Sequence, residues 1–400
     1  VLLQEISIPT ADGTILAGQR WTKRRQIPPM IERKNTENEN GRLKHCQVSS
    51  HPDDFDRTIL CTHGWLDNCG SHHYLAPRLA SELEDATQII GLDFPGHGHS
   101  SHRSKDAPPL VQADLVYYTC EAIQAILLES PSSVSVNNNN DDEEVENSTT
   151  ESINPAFDSG EGDVTSGNAN KNKRITLVGH SLGAAVASLT AASFPEFVDQ
   201  LVLLDAATFL AREAKDTADH VRQHIIKRQQ HFLAQNSPRV YPSLERAIKV
   251  RQFSATKMPG NQSLSYEAAR AMVMRGTRKV GATPLLEEQK EDKINYTPDN
   301  SHGDSEQVQF RHDSRFTWPS IQYLTWEQNE GVLAALRRTN VDVCLLQAEN
   351  GWPVDAYKIR RVKDILKPKV FRRLPGNHHF HANPETAEAV GDAVIDFLKR

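Results

Sequence analysis

The sequence predicts an α/β fold: a mostly parallel central sheet covered on both faces by helices, with a helical cap insertion. Three observations lead there. Short apolar runs alternate with segments of helical period, and one such run feeds a Gly-x-Ser-x-Gly turn that opens into a helix. A long stretch rich in Lys, Arg, Gln and Glu, also of helical period, separates two of the strand candidates.

Taken in order, residues 2–8 alternate, meet Asp12-Gly13, and resume alternation over 15–21, the pattern of a hairpin with a D-G turn. Residues 23–56 are polar, offer little core material, and are expected to form a long surface loop. Residues 58–62 and 88–92 are short buried-strand candidates ending at His63-Gly64 and at Asp93, with helical spacing over 74–83 between them. An amphipathic helix is expected over 111–129, then strands at 174–178, 201–204 and 341–347. Antiparallel pairing at the N-terminal edge is compatible with an otherwise parallel sheet.

Two insertions interrupt the rhythm. Residues 131–172, with Asn137-Asn138-Asn139-Asn140 and then Asp141-Asp142-Glu143-Glu144, bury too little apolar surface to offset the cost of ordering and read as a disordered surface insertion. The second, 206–335, is expected as a cap over the carboxyl ends of the strands, where open α/β sheets bind ligands. The expected division is therefore a core of 1–205 and 336–400 with a cap of 206–335.

Composition narrows the partners. With 400 residues and a formal charge of -7, the chain lacks the positive surface that phosphate backbones require, so no nucleic-acid partner is expected. The basic cluster from Lys358 to Lys369 also carries Asp364 and several apolar residues, which suits a solvated helix face. Five scattered cysteines (Cys46, Cys61, Cys69, Cys120, Cys344) without C-x-x-C spacing suggest neither a disulfide scaffold nor a thiolate zinc site, and fit a reducing compartment. No run of eighteen apolar residues is present, so no transmembrane segment is expected. The chain opens on Val1, as a fragment or processed form does, and a removed targeting peptide would leave no trace.

The elbow Gly179-His180-Ser181-Leu182-Gly183 is joined by His63-Gly64-Trp65-Leu66-Asp67-Asn68, Asp93-Phe94-Pro95-Gly96-His97-Gly98-His99-Ser100, Arg275-Gly276-Thr277-Arg278-Lys279-Val280 and Pro375-Gly376-Asn377-His378. In this order the motifs resemble the α/β-hydrolase superfamily over nearly the whole chain outside the polar loops. Within it they resemble the serine hydrolase-like proteins. The resemblance implies hydrolysis by a serine nucleophile beneath a helical cap, without a cofactor, and names no physiological substrate.

Ser181 is the expected nucleophile; a hydroxyl attacks poorly unless a base lies within hydrogen-bond reach and a third group orients that base. His378 is the expected base, on the family's Pro-Gly-x-His pattern, with His379 as the alternative. Reading His378, His379 and His381 as a metal cluster is disfavoured, because the spacing suits no regular zinc motif. The acid is open. Many superfamily members place it after the strand that follows the cap, in a Gly-x-x-Asp context, yet here Gly351 stands where that aspartate is expected. Asp205, at the end of the strand after the elbow helix, and Asp355, just past Gly351-Trp352-Pro353, are both candidates; Asp205 has the more rigid perch. Each also suits a helix N-cap, and Glu349 is a third choice.

The backbone amides of Leu182 and Trp65 fit the oxyanion-hole positions, with Gly64 permitting close approach. His63 is expected to fix its loop by hydrogen bonding. His97 and His99 read as loop residues, and the glycines around them are not in the order of a dinucleotide fingerprint. Phe209, Trp318 and Trp326 are candidates for the walls of an apolar site.

The leading expectation is a serine hydrolase that takes a small-molecule acyl compound, a carboxylic ester or thioester, through a Ser-His-Asp triad. The rival is a catalytically inactive binding protein that retains the pocket. No sequence signal sets an oligomeric state. Cytoplasm is the expected compartment, with the peroxisome raised by the resemblance although Leu398-Lys399-Arg400 is not the S-K-L address.

Overall fold

The computed structural model describes residues 1–23, 55–83, 86–104, 107–128, 174–233, 239–260, 262–281, 306–320 and 323–400. The expected disordered insertion at 131–172, most of the loop expected over 23–56, and Cys46 lie outside them.

The chain opens with the hairpin. β1 (Leu2–Pro9) and β2 (Ile15–Thr22) pair antiparallel from Leu2 opposite Thr22 to Pro9 opposite Ile15, and Gly13 makes the turn at φ +82°. β3 (Arg57–Thr62), β4 (Thr87–Leu92), β5 (Ile175–His180) and β6 (Val198–Leu204) follow; after the insertion come β10 (Asp342–Asn350) and β11 (Val370–Asn377). The eight strands stand in the order β1-β2-β4-β3-β5-β6-β10-β11. β2 runs against both neighbours, and every pair from β4 to β11 is parallel.

Strands buried on both faces read as continuous apolar runs, and their side chains divide by period two. Leu60, Ile90, Leu177, Leu201, Leu203 and Leu345 enter one core with α2 (Gln112–Leu128) and α3 (Leu182–Ser193). Ile59, Ile89, Val178, Val202, Leu204 and Leu346 enter the other with α1 (Leu75–Glu82) and the C-terminal helix α9 (Pro384–Leu398). Two layers of helix thus close the sheet, and the loops at the carboxyl ends of the strands meet on one edge.

Between β6 and β10 lie α4 (Thr217–Leu233), β7 (Val240–Tyr241), α5 (Leu244–Ala255), α6 (Tyr266–Gly276), β8 (Thr277–Lys279), β9 (Val308–Phe310) and α7 (Trp326–Arg337). Helix starts follow local chemistry. Ser243 and Ser265 cap α5 and α6 by accepting from the third residue on, and Thr325 with Gln328 forms a capping box at α7. α5 and α6 share a small core of their own that includes Ala247, Ile248, Ala269 and Met272. By contrast, Leu333 and Leu336 of α7 join the core under the main sheet. The insertion also holds a three-stranded antiparallel sheet ordered β7-β9-β8, which the helical reading did not foresee. Its strands are two or three residues long, too short for alternation to register in sequence.

One buried lock ties insertion to sheet. The Arg275 guanidinium of α6 donates to the Asp93 carboxylate at 2.8 Å and to Glu5 of β1 at 2.8 Å. Asp93, fully buried, also accepts from the Cys69 and His99 amides. Burial alone would raise its carboxyl, but Arg275 and these donors hold it below the usual range. Among the described residues no helix is long and apolar enough to cross a membrane.

Candidate active site

The parallel strand β5 ends at His180 and α3 begins at Leu182, which leaves Ser181 alone to make the turn. It does so at φ +53°, ψ -116°, a conformation costly for a residue with a side chain. The flanking glycines are steric necessities: a Cβ on Gly179 would lie 2.5 Å from the Ala184 Cα, and one on Gly183 would run into the Thr62 carbonyl. The Ser181 amide donates to the Leu204 carbonyl at 3.1 Å, which pins the turn to the end of β6.

His378 follows β11 directly and is buried. Its Nδ1 lies 2.6 Å from Asp205 Oδ2 and its Nε2 lies 2.8 Å from Ser181 Oγ. A carboxylate only accepts, so Nδ1 carries the proton and Nε2 is the acceptor for the serine hydroxyl. Asp205 directly follows β6, with φ +54°, and is 7% exposed. Its Oδ1 accepts from the Ala348 amide and its Oδ2 from the Trp352 amide, each at 2.9 Å. Both donors belong to the end of β10 and the loop beyond it.

The structure therefore brings Asp205, and not Asp355, to His378. Asp355 is the N-cap of α8 (Ala356–Leu366), accepting from the Tyr357 amide at 2.6 Å. Glu349 is exposed near the end of β10. Gly351, which stands at the position of the expected acid, has a physical reason to be glycine: a Cβ there would fall on the Asp205 carboxylate. The alternative base His379 turns away from Ser181; its Nε2 lies 3.5 Å from Asp67 Oδ2. His381 instead packs against His180, the rings tilted by 36° with centroids 4.0 Å apart.

The loop after β3 supplies the other side of the site. His63 Nε2 accepts from the Phe94 amide at 3.0 Å, so its Nδ1–H donates to the Gly64 carbonyl at 2.7 Å. That ring thus joins the loops after β3 and β4. A Cβ on Gly64 would sit 3.0 Å from His180 Nδ1, which shows how closely this backbone packs against the elbow. Among the described residues, neither the Trp65 amide nor the Leu182 amide donates to another protein group. The Trp65 indole, 47% exposed, donates from Nε1 to the Phe316 carbonyl of the insertion at 3.1 Å.

Sequence reasoning missed several supporting residues. Gln262, from the insertion, accepts the His378 amide at 2.7 Å and donates to the Gly351 carbonyl at 3.1 Å, so one side chain braces both the histidine and the acid's neighbour. His180 Nε2 donates to the His378 carbonyl at 2.7 Å. Burial, followed by the crowd of His381, His378 and His379, pushes His180 well below the usual imidazole range. The only sequence signal for either residue was position x of the elbow; Gln262 lies 116 residues from its partner His378.

A cavity of about 700 Å³ opens over Ser181, within the range of small-molecule sites. Gly64, Trp65, Leu182 and His378 line it at the Ser181 end, and the expected wall residues Phe209, Trp318 and Trp326 all contribute.

Comparison with known proteins agrees with this architecture. The alpha/beta hydrolase fold family matches residues 57–237. The serine hydrolase-like protein of Danio rerio is 27% identical over 352 residues, covering 86% of this chain and 82% of the relative. That of Mus musculus is 26% identical over 346 residues, covering 86% and 89%. Among solved structures, a hypothetical protein from Pseudomonas aeruginosa PAO1 superposes with a TM-score of 0.64 at 23% identity, covering 100% of both chains. The thioesterase domain from the curacin biosynthetic pathway gives 0.61 at 15% identity, covering 99% of both. With its mostly parallel eight-stranded sheet and its serine elbow the chain has the α/β-hydrolase fold, and over most of its length it is similar to the serine hydrolase-like proteins.

Proposed function

We propose that the protein is a serine hydrolase acting on a carboxylic ester or thioester through an acyl-enzyme intermediate. The observation that carries this reading is the continuous hydrogen-bonded chain Ser181–His378–Asp205, whose serine end faces the cavity. The relatives named serine hydrolase-like support the class.

In the first half-reaction Ser181 Oγ forms a bond to the acyl carbon while His378 Nε2 takes the hydroxyl proton. Negative charge moves to the carbonyl oxygen, where the Trp65 and Leu182 amides are available to hold it. Asp205 accepts from Nδ1 throughout, fixing the tautomer and stabilising the imidazolium. Collapse breaks the bond to the leaving alkoxide or thiolate, which receives the proton from His378. Water then attacks the acyl-enzyme, His378 takes its proton, and the acid departs as Ser181 recovers its hydrogen.

Labelling by a fluorophosphonate tests the reading, with Ser181→Ala and His378→Ala as controls. Labelling of the wild type that both variants lose is the expected result. A folded wild type that takes no probe would overturn the proposal in favour of a non-catalytic binding protein.

A further inference from the structure

We propose that Arg251 and Asp67 form a positioning pair through which the insertion sets the Trp65 amide. This rests on the acyl-transfer reading above, because it concerns the amide assigned to the oxyanion.

Trp65 lies inside a tight turn that closes when the Asp67 amide donates to the Gly64 carbonyl at 3.1 Å. Leu66, between them, is forced to φ +59°, a conformation that a branched residue adopts only when its surroundings impose it. The Asp67 side chain supplies that constraint. Its Oδ1 lies 2.6 Å from an Arg251 amino group of α5, with side-chain exposures of 2% and 11% respectively. On the inner side, Asp67 Oδ2 approaches the Gly64 Cα so closely that a Cβ there would be 3.1 Å away, and His379 Nε2 stands 3.5 Å off. One carboxylate therefore touches the turn that presents the Trp65 amide, the residue after His378, and a helix of the insertion.

The Arg251 amino group that meets Asp67 also lies 3.3 Å from His379 Nε2, so the three side chains form one buried cluster. Burial, joined by Arg251 and His378, drives His379 below the usual imidazole range against the pull of Asp67, so it stays neutral. Arg251 is then the full positive charge that holds Asp67. In a buried setting, removing one partner leaves the other uncompensated and obliges the local structure to move. The segment directly attached to Asp67 is the strained turn at Leu66.

The test measures fluorophosphonate labelling and ester hydrolysis in wild type, Arg251→Met, Arg251→Lys and Asp67→Asn, alongside thermal unfolding of each. The expected result is a maximal rate lowered about tenfold to a hundredfold in Arg251→Met and Asp67→Asn, less than the loss of a whole oxyanion donor. KM should be little changed, and Arg251→Lys should recover part of the rate. If Arg251→Met fails to fold, the near-isosteric Asp67→Asn decides. Folded Asp67→Asn with a wild-type maximal rate, or a loss confined to KM, would overturn the pair's role and leave it a structural bridge. A wild type that takes no probe would defeat the acyl-transfer reading itself, whereas labelled wild type with unslowed variants would defeat only this inference.

Discussion

At the carboxyl end of β6 the chain turns on Asp205 and presents a carboxylate to His378, whereas the adjacent parallel strand β10 runs on to Asn350 and turns on Gly351, which presents nothing. The two ends are halves of a single arrangement. The space in front of His378 admits one side chain, and a Cβ on Gly351 would occupy what the Asp205 carboxylate fills. β10 still takes part, since the amides of Ala348 and Trp352 grip both oxygens of Asp205. The strand that does not provide the carboxylate holds it in place.

The comparison can be broken most severely at its charged half. Asp205→Asn keeps the size of the side chain but lets an amide face Nδ1, which favours the wrong tautomer of His378. Hydrolysis is expected to fall by about 10⁴-fold, the scale known for this change in serine proteases, with KM nearly constant in steady-state assays. The other half should respond in the same way but less. Gly351→Ala places a methyl against the Asp205 carboxylate, and a displacement of about 1 Å costs on the order of 10²-fold in rate. A wild-type rate in Gly351→Ala would show that the two strand ends are independent.

A third experiment concerns the buried histidines behind the site. Burial lowers His72 to about 4, while in the unfolded chain it titrates near its ordinary value of 6.5. Between those values the unfolded state binds the extra proton, so stability is present above about pH 6.5 and is lost as pH falls toward 4. His72→Phe should therefore flatten the fall of Tm with pH over that window. An unchanged slope would mean that His72 is not neutral in the fold. The smallest effect belongs to the rejected acid: Asp355→Ala should cost about 1 kcal/mol in chemical denaturation through loss of the α8 cap. The labelling rate should stay that of the wild type, and a large loss of activity would reopen the choice of acid.

The parts of the fold that were legible were those set by local pattern. The hairpin at Asp12-Gly13, the runs that became β3 to β6 and β10, and the strand-turn-helix around Ser181 all follow from spacing within a few residues. His378 was legible through its motif. The acid was not, because choosing between Asp205 and Asp355 depends on whether Gly351 stands beside one of them, a fact of strand adjacency. Gln262, Arg251 and Asp67 act across 116 and 184 residues of chain, and nothing in the neighbourhood of each in sequence announces its partner. The small sheet of the insertion escaped for a different reason, its strands being two or three residues long and so too short for alternation to register.

Gln262 carries a lesson for anyone who would recombine proteins of this fold. A segment inserted between two strands invites exchange, as if it were a detachable shade over a finished workshop. Here the segment begins one residue after the acid and sends Gln262 back to brace both the histidine and the glycine that makes room for the acid. A chimera that kept the sheet and imported a foreign insertion would inherit Ser181, His378 and Asp205 in sequence but lack the side chain that aligns them. Transplanting new specificity onto this scaffold therefore means redesigning the walls while leaving that strut in place.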